Sequence, residues 1–213
     1  MRHDFDRNRY VIGEPEDGRC NRCLDDTRLG VYAESPEPPA LGEPIGEVKC
    51  RIDGYGGMHY RIKDGDAAVL DPGTPIYSLR DYATSFRVAA ESPTVDGFAV
   101  YEASTNPNAE TGADVLDIRG KVTLFRVRGA TGGLSRSTDI RDADEIASIV
   151  AMVLDSPVDR VDREHGELDQ YQVEFSLKDG TIVVSAYWPE TGELSRGIIL
   201  PPEFALLVPE APE

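Results

Sequence analysis

The chain has 213 residues, 40% hydrophobic and 29% charged, apolar enough to bury a core and inconsistent with wholesale disorder. Its 39 acidic residues against 22 basic ones give a formal net charge of −17. A field of that sign repels phosphate backbones, so no nucleic-acid partner is expected; the densest basic spots, RVRG at 126–129 and the scattered arginines of the N-terminus, make no opposing patch.

Residues 1–45 form a Pro/Glu-rich N-terminal arm, marked by GEPEDG and ESPEPPALGEPIGE, whose apolar content is too small to offset the entropy of ordering it. Its first residues, MRHDFDRNRY, lack the apolar core of a secretory leader. From Val48 the texture changes to short strand-like runs, VKCRIDG, MHYRIKDG and DAAVLDPGTPIYSL, cut by Gly- and Pro-bearing turns. SFRVAAES and GFAVYEAS continue the pattern, and VLDIRGKVTLFRVRG reads as one strand or a strand pair. GATGGLSRST, residues 129–138, reads as a flexible connector into a helix.

That helix is the strongest local signal. Over about 142–155, Ile146, Ile149, Val150, Val153 and Leu154 make one apolar stripe at helical spacing. Asp142 is placed to cap it, with Glu145 three residues on, and Pro157 ends it. In YQVEFSLKDGTIVVSAYW two alternating runs flank Asp179-Gly180, the signature of a hairpin. Pairing Leu177 with Ile182 places Val184, Ala186 and Trp188 on the core face with Val173 and Phe175, and Ser185 on the other. LSRGIIL follows as a third strand, then a helical turn at EFALL and a tail over 209–213. The expected fold is α+β, an antiparallel sheet of short strands and hairpins with one main amphipathic helix packed on it, over a domain 46–208 with room for two small sub-modules meeting near 106–135. No run of about 18 apolar residues occurs, so no membrane span is expected.

Cys20, Cys23, Cys50 and His59 spell C-x2-C-x26-C-x8-H, a donor set for a structural zinc, although the second half lacks the usual tight pair. A disulfide from Cys50 to Cys20 or Cys23, or unpaired cysteines, are the alternatives. The dithiol does not sit between a strand and a helix N-terminus, so redox catalysis is not expected. Of the histidines, His3 is terminal, His165 lies in a charged loop and reads as solvated, and His59 is the only one placed to serve a nucleophile. G-x-S-x-G and the phosphate-binding G-x-x-x-x-G-K-[ST] are both absent. A ligand or partner face falls to Tyr187, which the alternation turns away from the core, and to Arg136 ahead of the helix.

DPGTPIYSLRDYATSFRVAAES, GFAVYEAS and the ending AYWPETGELSRGIILPPEF resemble segments of uncharacterised bacterial envelope lipoprotein-type proteins, over residues 70–105 and 140–208. The resemblance implies an extracytoplasmic setting and no catalytic residues. The reading that follows is a non-catalytic binding or regulatory module for an unknown protein or small ligand, in the bacterial cell envelope. The alternatives are a cytoplasmic protein, with Met1 its true start and a zinc held in the arm, and a hydrolase with a dispersed site.

Overall fold

A computed structural model of the chain describes residues 39–51, 66–67, 70–91, 97–103, 106, 108–129, 137–159, 161, 165–166 and 168–209. The chain divides into two compact units, Met1–Pro107 and Asn108–Glu213. Both are built on antiparallel sheets, and the main helix lies in the second, so the class is α+β.

In the first unit, strands β1 (Leu41–Glu47), β4 (Pro75–Leu79), β5 (Arg87–Glu91) and β6 (Phe98–Glu102) lie side by side in that order. Two short strands, β2 (Cys50–Arg51) and β3 (Asp66–Ala67), pair in parallel apart from them. The arm read as ending near residue 45 is shorter than that, because LGEPIGE is the edge strand β1. Its Pro44 has no amide to donate, which an edge tolerates, and register shifts flank it where β1 pairs with β4. Two side chains hold this polar strand in place. Leu41 packs with Leu79, Ala89 and Val100 on one face of the sheet, and Ile45 with Ile76, Val88, Ala90 and Tyr101 on the other. With both faces covered, β5 and β6 are buried almost throughout. Two opposed charges lie within that burial: Arg87 pairs across the strands with Glu102 at 2.7 Å, and its guanidinium sits 4.8 Å above the Tyr82 ring. Buried charges persist only when compensated in this way.

The second unit is a six-stranded antiparallel sheet of order β12-β11-β10-β9-β7-β8. Its strands are β7 (Val122–Gly129), β8 (Ser137–Ile140), β9 (Tyr171–Leu177), β10 (Ile182–Trp188), β11 (Glu193–Leu194) and β12 (Ile198–Ile199). VLDIRGKVTLFRVRG is thus a single strand, β7, preceded by a turn, and the end of the supposed connector forms strand β8. LSRGIIL is broken by a 3₁₀ turn at Ser195–Gly197 into the short pair β11–β12. Helix α1 (Ala143–Asp155) buries the five apolar residues read from its periodicity, and Asp142 caps it by accepting from the amides of Asp144 and Glu145. At the helix C-terminus the chain passes so close that Gly112 lies against the Val153 carbonyl while its own amide donates to Ser156.

The hairpin β9–β10 departs from the sequence reading by one residue. The loop has three residues, Lys178–Gly180, with Gly180 at φ +83 in the left-handed region open to glycine. Asp179 Oδ1 accepts from both the amide and the hydroxyl of Thr181, whose carbonyl takes the Leu177 amide. Ile182 therefore faces Ser176, and Val183 faces Phe175. A shift of one exchanges the faces. Val183, Ser185 and Tyr187 enter the core, and Val184, Ala186 and Trp188 take the second face. The core gathers Phe125, Phe175, Phe204 and Tyr187, with Tyr187 and Phe204 4.9 Å apart edge to face. Such ring pairs contribute about 0.5–1.5 kcal/mol each beyond the area they bury.

On the second face Arg126 holds Asp139 through two hydrogen bonds of 2.8 and 2.6 Å, and Arg128 reaches Glu174 at 2.5 Å. The basic spot at 126–129 is thereby consumed within its own sheet.

Two outcomes follow for stability. A Cβ on Gly112 would stand 2.1 Å from the Val153 oxygen and 3.2 Å from the Leu154 Cα, both backbone atoms, so Gly112→Ala is expected to lower the unfolding free energy by about 2–4 kcal/mol in denaturant titration. The Arg126 hydrogen bond is the first cause holding the Asp139 carboxyl down to about 2. A depressed carboxyl stabilises the fold above its unfolded value, near ~3.9, and that contribution is lost as pH falls through about 2. The pair is about one-third exposed, so under about 1 kcal/mol is at stake. The stability gap between the native chain and Asp139→Asn should close between these two pH values.

Candidate functional site

The register of β10 determines what gathers at the end of the sheet where β9 begins and β10 ends. Trp188, on the second face, pairs with Glu193 of β11. The chain leading to β9 brings His165 over it, the two rings stacked at 3.6 Å and 17°. His165 Nε2 lies 3.2 Å from Glu193 Oε2, and the Glu193 side chain is only 9% exposed. The imidazole is thus held on its face by an indole and on its edge by a buried carboxylate. His165 is not the solvated loop residue its charged surroundings suggest, and Trp188 is not in the core. The same shift places Tyr187, the residue proposed for a ligand face, in the core at 1% exposure. Burial raises the Tyr187 phenol above its ordinary value, with Glu190 adding to the effect.

Around the corner from the stack runs an open groove of about 460 Å³. It is lined by Asp169 and Tyr171 at the start of β9, Pro189 and Glu190 of the turn after β10, and Ala205, Val208 and Pro209 of the C-terminal segment. Each lining group has a local reason to be there. Pro189–Gly192 is the reversal that follows β10, closed by the Thr191 amide on Trp188 and the Gly192 amide on Pro189. Pro202–Leu207 forms a 3₁₀ helix that sends Phe204 into the core, which leaves Ala205 and Val208 facing outward and Leu206 85% exposed. Glu190 is tied to the opposite side by the Asp169 amide, which donates to its Oε1 at 3.3 Å. Burial first, then the carboxylates of Asp169 and Glu190, raise the Tyr171 phenol. The groove combines apolar walls with two carboxylates and a phenol.

Of the four residues proposed to hold zinc, Cys20, Cys23 and His59 lie outside the described residues, as does Arg136. Cys50 is buried on β2 and is disulfide-bonded. In that oxidised form it has no thiolate to offer a metal. Among the described residues no three His, Cys, Asp or Glu side chains are grouped as metal ligands. No helix among the described residues is long and apolar enough to cross a membrane. Glu193, Asp169 and Glu190 were not singled out by the sequence, in which carboxylates are too numerous for any one to stand out. The available signal was the K-D-G loop: counted as three residues, it turns Trp188 to the second face, where β11 pairs Glu193 with it.

Comparison of the chain with protein-family models, with curated proteins and with solved structures finds no match.

Replacing the stacked imidazole exposes the indole, and Trp188 is the chain's single tryptophan. His165→Ala should shift the fluorescence emission to the red and lower stability by about 0.5–1.5 kcal/mol, while His165→Phe keeps the emission near its native position. An unshifted spectrum in His165→Ala would show that the stack does not form in solution.

Proposed function

We propose that this chain is a non-catalytic binding or regulatory module of the bacterial cell envelope, engaging a protein or small ligand through the β9–β10 end of its second unit. The observation that carries this reading is the groove between Tyr171 and the Ala205–Pro209 segment, with apolar surface left open at the end of the sheet. Open concave sites of mixed polarity hold ligands by shape and a few oriented polar groups. His165, the one histidine among the described residues, serves the packing beside that groove. Its described polar side-chain contact is to Glu193, and its ring face is taken by Trp188. A general base needs reach to a nucleophile, and among the described residues the polar partner of this imidazole is the Glu193 carboxylate alone. The disulfide at Cys50 supports an oxidising compartment, where such bonds persist.

The full chain is tested on chromogenic ester, phosphoester and glycoside substrates, with His165→Ala and Glu193→Gln as controls. No turnover distinguishable from these variants is expected. Turnover that either substitution abolishes would replace the binding reading with the hydrolase one. In parallel, thiol titration of the denatured, unreduced protein should find one free thiol among the chain's 3 cysteines. Three free thiols would remove the support for an extracytoplasmic setting.

A further inference from the structure

We infer that the groove docks a basic, apolar-bearing segment of a partner protein; this rests on the binding reading above and specifies its ligand. Charge is the first ground. None of the described residues lining the groove is basic, and neither Asp169 nor Glu190 has a cationic partner among the described residues. Elsewhere in the same unit Asp117, Asp139, Asp155 and Glu174 are each paired with a lysine or arginine. The two groove carboxylates flank Tyr171, whose ring offers a cation a face as well as a charge. On a chain of net charge −17, a cationic segment is also drawn in by the long-range field.

Shape and apolarity are the second ground. The groove is open rather than enclosed, so it cannot surround a small amine, whereas an extended segment lies along it and continues onto the surface beside it. There Leu206 is 85% exposed and Leu168 37% exposed. Leu206 follows the lining residue Ala205 in the chain and Leu168 precedes Asp169, so each exposed leucine adjoins the groove lining in sequence. A partner segment alternating cationic and apolar residues satisfies both, with charge setting the rate and orientation of encounter and apolar burial slowing release.

The probe is a short end-blocked peptide alternating lysine and leucine, labelled and followed by fluorescence anisotropy with the full chain. Alternating lysine–serine and glutamate–leucine peptides serve as comparisons. The lysine–leucine peptide should bind at least about fivefold more tightly than either comparison, and less tightly as salt is raised. Asp169→Asn with Glu190→Gln, near-isosteric and at the surface, should weaken it about fivefold. Glu43→Gln with Glu91→Gln, the same charge change made in the first unit, should leave it within about twofold. Equal losses in the two double variants would reduce the effect to general attraction and overturn the inference. Equal binding of the glutamate–leucine peptide, lost in Tyr171→Ala, would overturn the cation preference while leaving the groove a binding site. Failure of all three peptides would overturn the docking of a segment here, and the binding reading would then stand or fall on the turnover assay alone.

Discussion

The second unit depends on where one turn puts the register of a hairpin. Gly180 takes a left-handed conformation and Asp179 accepts twice from Thr181, which makes the loop three residues long. Because side chains alternate with a period of two, that count decides which half of β10 enters the core. It sends Tyr187 against Phe204 and leaves Trp188 outside to receive His165. With that register shifted by one residue, the core would lose the Tyr187–Phe204 ring pair, and Trp188, with Glu193 paired beside it, would turn away from His165. The groove is downstream of the same choice, since Phe204 packs on Tyr187 and thereby sets the C-terminal segment against the start of β9.

Charge is managed differently in different places. The chain carries a bulk excess of carboxylates, with a formal net charge of −17, but its local arrangement varies. Arg87 and Glu102 are compensated inside the first unit, where neither is tolerable alone. The Arg126, Arg128, Asp139 and Glu174 group neutralises itself along the second face of the other sheet. At the groove, Asp169 and Glu190 have no cationic partner among the described residues.

The legible part of the fold was the part governed by local rules. Helix α1 follows from five apolar positions and a capping aspartate, and the strands β4, β5, β6, β7, β9 and β10 from alternating or continuous apolar runs. What escaped were segments whose local chemistry and tertiary use disagree. LGEPIGE carries two apolar residues that find cores on opposite faces of one sheet, and composition alone places it in the arm. Residues 137–140 look like connector because only β7 gives them a partner. The site was less legible than the fold: His165 sits in the most polar stretch after the helix, and its two partners lie on strands that sequence spacing does not bring near it.

By itself, then, the sequence determined the α+β class, the bounds and N-cap of the helix, and the acidic character. These rest on interactions between residues a few positions apart, whose energies are the same wherever the segment lies. Only the tertiary structure decided which face of β10 is inside, that an acidic and proline-bearing arm ends in an edge strand, and that a loop histidine stacks on the single tryptophan. Those outcomes are set by pairing between distant segments, where a one-residue shift exchanges buried and open faces without altering any local preference.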